Sequence, residues 1–479
     1  MTPTPKPPDG MSDRVGDEAI RMEASLDVLR TRFRAFGYEP VSTPIVERAD
    51  HFVDRSGEDM RRRLYRFTEP GGREICLRPE LTIPTVRMYT DRFAGSDRVL
   101  RSYYSGPVFR YSTNRERRHR QFTQAGVELI GHVDQPLGDA EVMALANESL
   151  GSLGLGGQPL AVNDVGFYTG LFDPTKLSPK WIGRLESLAR EPRRMQAFVD
   201  EDQPSSPSDG LGFLQTLASL EPDQRHEIVE GVVRSTQTVG HFGTRSMEEI
   251  VTRTLEQADL ADKHRLPREL LDALGELSCI HAPLPQALEQ VADVAKTAGA
   301  KATADAVSKW WRTTEHLAAY GLDVNEIVLD AKLGRGIDYY TGLLFEFGSA
   351  PFASGGRYDS LVASLGTDHP APAVGFAINL DHVLATGFPQ SSTQLAVAVV
   401  PGQSTEPCAN NELIRVATEL RKQGLAVTVG TTQGTQSPIL ISPNDDETVD
   451  VHINNANVHT GISVCDVASL VNPDLDSKP

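Results

Sequence analysis

GPVFRYSTNRERRHRQFTQAGVEL, residues 106–129, is the stretch whose reading decides the fold. Tyr103–Phe109 reads as one strand and Gln121–Ile130 as a second. The charged run 111–120 between them, with Arg115, Arg117, Arg118 and Arg120, suits the solvated loop of a long antiparallel hairpin. Gln124, Gly126 and Glu128 alternate along the second strand, so they share a face. Polar groups at 124 and 128, set among apolar strand residues, are candidates for a floor where polar ligand groups dock. Gly126 between them would let a ligand approach the backbone. Arg110, at the end of the first strand, carries a planar fork suited to a carboxylate or phosphate.

Three other segments carry chemistry. In Leu77-Arg78-Pro79-Glu80-Leu81-Thr82 a carboxylate and a hydroxyl stand two residues apart at a strand-to-helix junction. They could hold an ammonium group, although acids and hydroxyls also favour helix N-termini for capping alone. In GRGIDYYTG, residues 334–342, glycines let Arg335 and the phenols of Tyr339 and Tyr340 project into one space. A Tyr-rich strand with a bulge is the plainer reading. Gly355-Gly356-Arg357-Tyr358-Asp359 reads as a turn, and Ala373–Leu384 follows as an apolar stretch.

Outward from these segments, Asp17–Phe36 places Ile20, Met22, Leu26, Leu29, Phe33 and Phe36 at helical spacing, and Gly37 ends the helix. Pro40 and Pro44 suit a sheet edge. Leu64–Phe67 and Glu74–Leu77 flank Pro70-Gly71-Gly72 as a hairpin, and Pro79–Tyr89 reads as a helix. Residues 170–325 are mainly helical. Strands return at Glu326–Leu329 and Tyr339–Phe347. Beyond a boundary at 388–394, strand, helix (Asn411–Lys422) and strand indicate a small α/β domain. After Val429 clear strands are expected only at Val449–Ile453 and Ile462–Val467.

The chain has 479 residues, too many for one core. No apolar run approaches the ~20 residues of a membrane span. The formal net charge of −18 is a poor background for gripping nucleic acid. Cys76, Cys279, Cys408 and Cys465 lie far apart, which argues against a structural zinc site or a disulfide framework. The proline-rich residues 1–16 read as a disordered lead-in without the apolar core of a secretory signal, so a cytoplasmic location is expected.

Taken in order, RPELT, GPVFR…RQFTQAGVE, GRGIDYYTG, GGRYD and AVGFAINLDH resemble the catalytic core of class II histidyl-tRNA synthetases over about residues 17–387. The resemblance implies an α+β fold: an antiparallel sheet flanked by helices, in two parts (17–169 and 326–387) around a helical insertion (170–325), then a small degenerate α/β domain (391–479). It implies a histidine site of Glu80, Thr82, Arg110, Gln124, Glu128, Arg335, Tyr339 and Tyr340. Arg110 falls on the arginine that contacts the ATP phosphate and the amino-acid carboxylate. The family's dimer contact falls on Tyr38–Glu47.

Departures from the pattern narrow the function. The family's Phe-Arg-x-Glu is Phe109-Arg110-Tyr111-Ser112 here, so the acid that helps hold adenine is missing. The arginine that clamps the ATP phosphates is replaced by His382. A mostly neutral imidazole with one donor cannot replace a permanent charge with five, and adenylation depends on stabilising phosphoryl charge. From residue 391 onward four bases face ten acids, a net −6 that does not suit tRNA. This pattern is similar to the regulatory-subunit family of ATP phosphoribosyltransferase. It implies a non-catalytic protein without cofactor or metal, a homodimer within a hetero-oligomer. Its partner would be the short-form catalytic subunit, its effector free histidine, and neither tRNA nor membrane is expected. The rival readings are an active histidine–tRNA ligase and a histidine-binding paralogue acting on some unrelated enzyme.

Overall fold

The computed structural model describes residues 6–200 except 54, 56, 97 and 113–118. It also describes 216–217, 220, 222–237, 254 and 266–387 except 335–338, and then 397–399, 409–422, 427–429, 439–444, 448–453, 457–467 and 470. The chain divides into two compact units, Met1–Pro389 and Gln390–Pro479. No helix among the described residues is long and apolar enough to cross a membrane.

The first unit is built on a nine-stranded sheet. Its strands are β1 (Glu39–Pro40), β5 (Leu100–Phe109), β6 (Gln121–Ile130), β7 (Leu160–Asp164), β8 (His281–Pro283), β9 (Val328–Asp330), β10 (Leu343–Phe347), β11 (Ala353–Arg357) and β12 (Ala373–Asn379). They lie in the order β1-β5-β6-β12-β11-β10-β7-β9-β8. All pairings are antiparallel except β1 with β5 and β7 with β9, so the expected antiparallel sheet carries a parallel pairing towards each edge. A second sheet joins β2 (Val46–Arg48), β3 (Arg66–Thr68) and β4 (Glu74–Leu77) in the order β2-β4-β3.

The hairpin of residues 100–130 forms as its pattern predicts, with Tyr104 opposite Gly126 and Phe109 opposite Gln121. One face of β5 and β6 packs under the helix Asp17–Ala35, where the Phe33 ring lies 5.6 Å from that of Tyr103. Ile20, expected on the apolar stripe of that helix, is instead 48% exposed. The helix Gln135–Ser152 is buried on nearly every side, between the sheet and the helices Asp17–Ala35 and Lys301–Ala319. Buried all round, it has no amphipathic stripe.

The 170–325 stretch supplies the helices Pro179–Ala189, Pro192–Asp200, Pro222–Gln237, Arg268–Ser278, Leu284–Ala298 and Lys301–Ala319. Its residues 281–283 also add β8 to the edge of the main sheet. Three sequence expectations need correction. The helix after Arg78-Pro79 begins at Thr82 and runs to Phe93. The strand expected over Tyr339–Phe347 starts at Leu343, so both tyrosines precede it. The glycine pair of 355–356 is not a turn but the middle of β11, between β10 and β12. A Cβ on Gly356 would fall 2.4 Å from the Leu343 carbonyl oxygen and 2.7 Å from the Tyr340 ring, so packing selects glycine there.

At the end of β11, Arg357 turns to the helix side of the sheet. Its Nε and Nη2 donate to Asp139 Oδ1 at 2.9 and 2.6 Å, and Nη1 donates to Asp359 at 2.9 Å. The Arg357 and Asp139 side chains are only 5% and 7% exposed. Breaking such a pair leaves an uncompensated buried charge. Arg357→Ala is therefore expected to cost about 3–5 kcal/mol in denaturant unfolding. An unchanged midpoint would show that Asp139 is solvated by other means.

The second unit has a five-stranded sheet and the helix Ala409–Lys422, with a core of Val399, Val416, Leu420, Ile441 and Val451 among others. The strands Val397–Val399, Val427–Val429 and Ile439–Pro443 are parallel, whereas Thr448–Ile453 and Asn457–Ser463 continue antiparallel. Two expectations change here. Ile439–Pro443, which the sequence left unassigned, is the middle strand. The strand expected at Ile462–Val467 instead ends at Ser463 and passes into a short 3₁₀ turn.

Candidate functional site

The other face of β6, β11 and β12 forms the floor of a pocket. Glu80, Thr82, Arg110, Gln124, Tyr339 and Tyr340 all line it, together with Met60, Ser354, Tyr358 and the backbone around Gly375. Six of the eight residues expected at the site thus meet in one cavity. Glu128 lies directly beneath. Arg335 is outside the described residues.

Each group has a local cause. Thr82 opens the helix Thr82–Phe93, and Glu80 bends back over that end. Its carboxylate accepts from the Thr82 and Ile83 backbone N–H groups at 2.7 and 2.9 Å. The capping reading of Glu80 therefore holds, and the same carboxylate is a wall of the pocket. Burial raises its pKa, against the pull of those two donors and of Arg110. Arg110 donates from Nε to the Pro79 carbonyl at 2.8 Å and lies over the Phe122 ring. Gln124 is buried, and its Oε1 has no hydrogen-bond partner among the described residues. A buried amide oxygen left unpaired costs free energy that a ligand donor would recover.

Glu128 is 1% exposed. Its carboxylate accepts from the Tyr104 hydroxyl at 3.0 Å and from the Tyr358 hydroxyl. Tyr358 stands edge-on to Tyr339, with centroids 5.8 Å apart, and Tyr339 packs against Tyr340 at 5.0 Å. The Glu128 carboxyl also presses against Gly375, where a Cβ would lie 1.8 Å from Oε2. The space above Gly126 is not open to a ligand, contrary to the sequence expectation. A Cβ there would meet the Phe376 carbonyl at 2.1 Å and the Tyr104 hydroxyl at 2.9 Å, so the protein itself fills the gap. Tyr104 and Tyr358 were not singled out from the sequence, although Tyr358 belongs to the GGRYD segment.

Burial, only partly offset by its hydroxyl donors, pushes the Glu128 pKa up to about 8. Its ordinary value is 4.5. Between those values the unfolded chain has lost this proton and the folded pocket has kept it. The free protein should therefore lose stability as pH rises from about 4.5 to about 8. Urea midpoints of wild type and Glu128→Gln at pH 5, 6, 7 and 8 check this. The wild type should fall relative to the variant by about 1 kcal/mol per pH unit. Parallel curves would show that Glu128 ionises normally.

A wider groove of about 640 Å³ adjoins the pocket and shares Arg110, Gln124, Ser354 and Ala377 with it. Asp381 and His382 line it, at the start of the helix Leu380–Ala385. The His382 ring lies 4.7 Å from Phe352, with Nδ1 3.4 Å from the Pro351 carbonyl oxygen. That matches a helix residue bonding a nearby carbonyl.

Fold and pocket together define a protein of the class II, histidyl-tRNA synthetase type. The family described as Histidyl-tRNA synthetase matches residues 10–231 and 225–383. A solved structure titled as an ATP phosphoribosyltransferase regulatory subunit/histidyl-tRNA synthetase from Bacillus halodurans superposes with a TM-score of 0.62. It is 21% identical, over 90% of this chain and 94% of that one, which establishes the fold. The ATP phosphoribosyltransferase regulatory subunit of Chelativorans sp. is 34% identical over 71% of this chain and 91% of its own. The histidine–tRNA ligase of Methanocaldococcus jannaschii is 27% identical over 88% and 84%. The chain belongs to the ATP phosphoribosyltransferase regulatory subunits, a histidyl-tRNA synthetase-like family.

Proposed function

We propose that this chain is the non-catalytic, histidine-sensing subunit of an ATP phosphoribosyltransferase, acting in the cytoplasm. It would activate a short catalytic subunit in the first step of histidine biosynthesis and confer feedback inhibition by histidine. The observation that carries the reading is the Gln124 Oε1, unpartnered among the described residues, in a pocket walled by the Glu80 carboxylate and underlain by the buried Glu128 carboxyl. Such a pocket suits a small ligand rich in N–H donors. In it Glu80 and Glu128 meet the ammonium and imidazole of histidine, with Thr82 and Gln124 as hydrogen-bond partners. Arg110 faces the ligand carboxylate, Tyr339 and Tyr340 close the far side, and Arg335 belongs to the set by the resemblance alone.

Chemistry on ATP is disfavoured for a physical reason. His382 stands where the synthetases carry a phosphate-clamping arginine, and its ring is engaged with Phe352 and Pro351. Without that permanent charge, phosphoryl transfer lacks its electrostatic stabilisation. Regulation requires two states of the complex that bind histidine unequally. A homodimer using the Tyr38–Glu47 region is part of the proposal, and tRNA is not.

The test is co-purification with a short-form catalytic subunit, followed by its assay with and without histidine. The subunit should be active only with this chain and suppressed by histidine. Robust histidine-dependent ATP–pyrophosphate exchange by the isolated chain would overturn the reading in favour of a ligase.

A further inference from the structure

Residues 6–16, expected from composition to be a disordered lead-in, are tied to the core at two points. The Arg120 backbone N–H donates to the Gly10 carbonyl at 2.7 Å. Gly10 adopts φ +75°, and a Cβ there would fall 2.7 Å from Arg120 Cγ, so the segment lies flat against that side chain. Four residues further on, the Arg14 guanidinium pairs with the Asp381 carboxylate, whose side chain is 8% exposed. A carboxylate that is so little exposed gains from a cation.

Each tie stands one step from the pocket. The Arg120 carbonyl accepts from the Arg110 backbone N–H at 2.9 Å. The other oxygen of Asp381 accepts from the Thr123 backbone N–H at 2.7 Å, next to Gln124. Arg110 and Gln124 both line the pocket. The segment thus braces the neck of the hairpin at the positions that present these two side chains.

We propose that residues 8–16 form a strap whose attachment through Gly10 and Arg14 is coupled to occupation of the pocket. The strap holds Arg110 and Gln124 in place, and a ligand that engages those groups tightens the strap. Such coupling is reciprocal: whatever detaches the strap weakens the ligand by the same factor. The inference rests on the histidine reading of the pocket.

Hydrogen–deuterium exchange on the full chain tests it. Wild type, Arg14→Ala and Gly10→Val are compared with and without histidine, at saturation fixed by calorimetry. In wild type histidine should slow exchange of the Arg120 and Thr123 amides and of residues 8–16 about fivefold or more. Arg14→Ala should speed those two amides without ligand and weaken histidine about fivefold, measured at a temperature where the core stays folded, since stranding Asp381 also lowers the melting temperature. Gly10→Val should do the same at Arg120. Absence of histidine binding in wild type would overturn the pocket reading and the coupling with it. Normal binding with unaltered exchange, or variants indistinguishable from wild type, would overturn the coupling alone.

Discussion

Glu128→Gln is expected to weaken histidine binding about 30-fold or more in isothermal titration at pH 7. This corresponds to ~2 kcal/mol, the lower end of what truncating one partner of a buried, hydrogen-bonded charge pair costs. The amide keeps the shape of the side chain, but only its one oxygen can accept from a phenol, its NH2 must donate to the other, and it cannot ionise against a cation. The free protein should not suffer. Near pH 7 the carboxyl, with its pKa at about 8, is itself largely protonated, so the amide replaces a neutral group. A folded variant with wild-type affinity would remove Glu128 from ligand binding.

Gly375→Ala should be the most damaging single-methyl change to both fold and pocket. The added carbon would lie 1.8 Å from Glu128 Oε2 and 2.5 Å from the Val127 carbonyl oxygen. The first could be relieved by moving a side chain, but the second is backbone of β6, paired with β12 over seven residues. Overpacking at a site that cannot shift costs about 3 kcal/mol, the upper part of the usual range. Denaturant unfolding should show that loss, and histidine binding should fall with it because the Glu128 carboxyl is displaced. A variant with wild-type midpoint and affinity would show that β12 has slack there.

The long hairpin was legible because a period of two survives wherever a strand has unlike neighbours on its two faces. Gln124 and Glu128 stood out as polar residues among apolar ones, and they do face the pocket side together. Arg110 and Glu80 were legible from residue type and from their place at element ends. The helix Gln135–Ser152 was not, because burial on all sides erases the stripe that marks a surface helix. The Gly355-Gly356 pair was misread, since two glycines in sequence look like a turn whether backbone bending or close packing selects them. Nothing in the sequence separates Tyr104 from its aromatic neighbour Tyr103, and only the structure puts it against Glu128.

By itself, the sequence determined the parts: an acidic, multi-element chain with a synthetase-like order of segments, one of which ends in Asp381-His382. Residue type fixes charge, donor count and local backbone preference, so these could be read without coordinates. Only the tertiary structure decided that Tyr104 and Tyr358 cover Glu128, that Gly126 is filled by protein, and that residues 10–14 reach Arg120 and Asp381. Those contacts join positions up to 367 residues apart in the chain. Such distances are set by how strands and helices pack, which no local pattern of residues encodes.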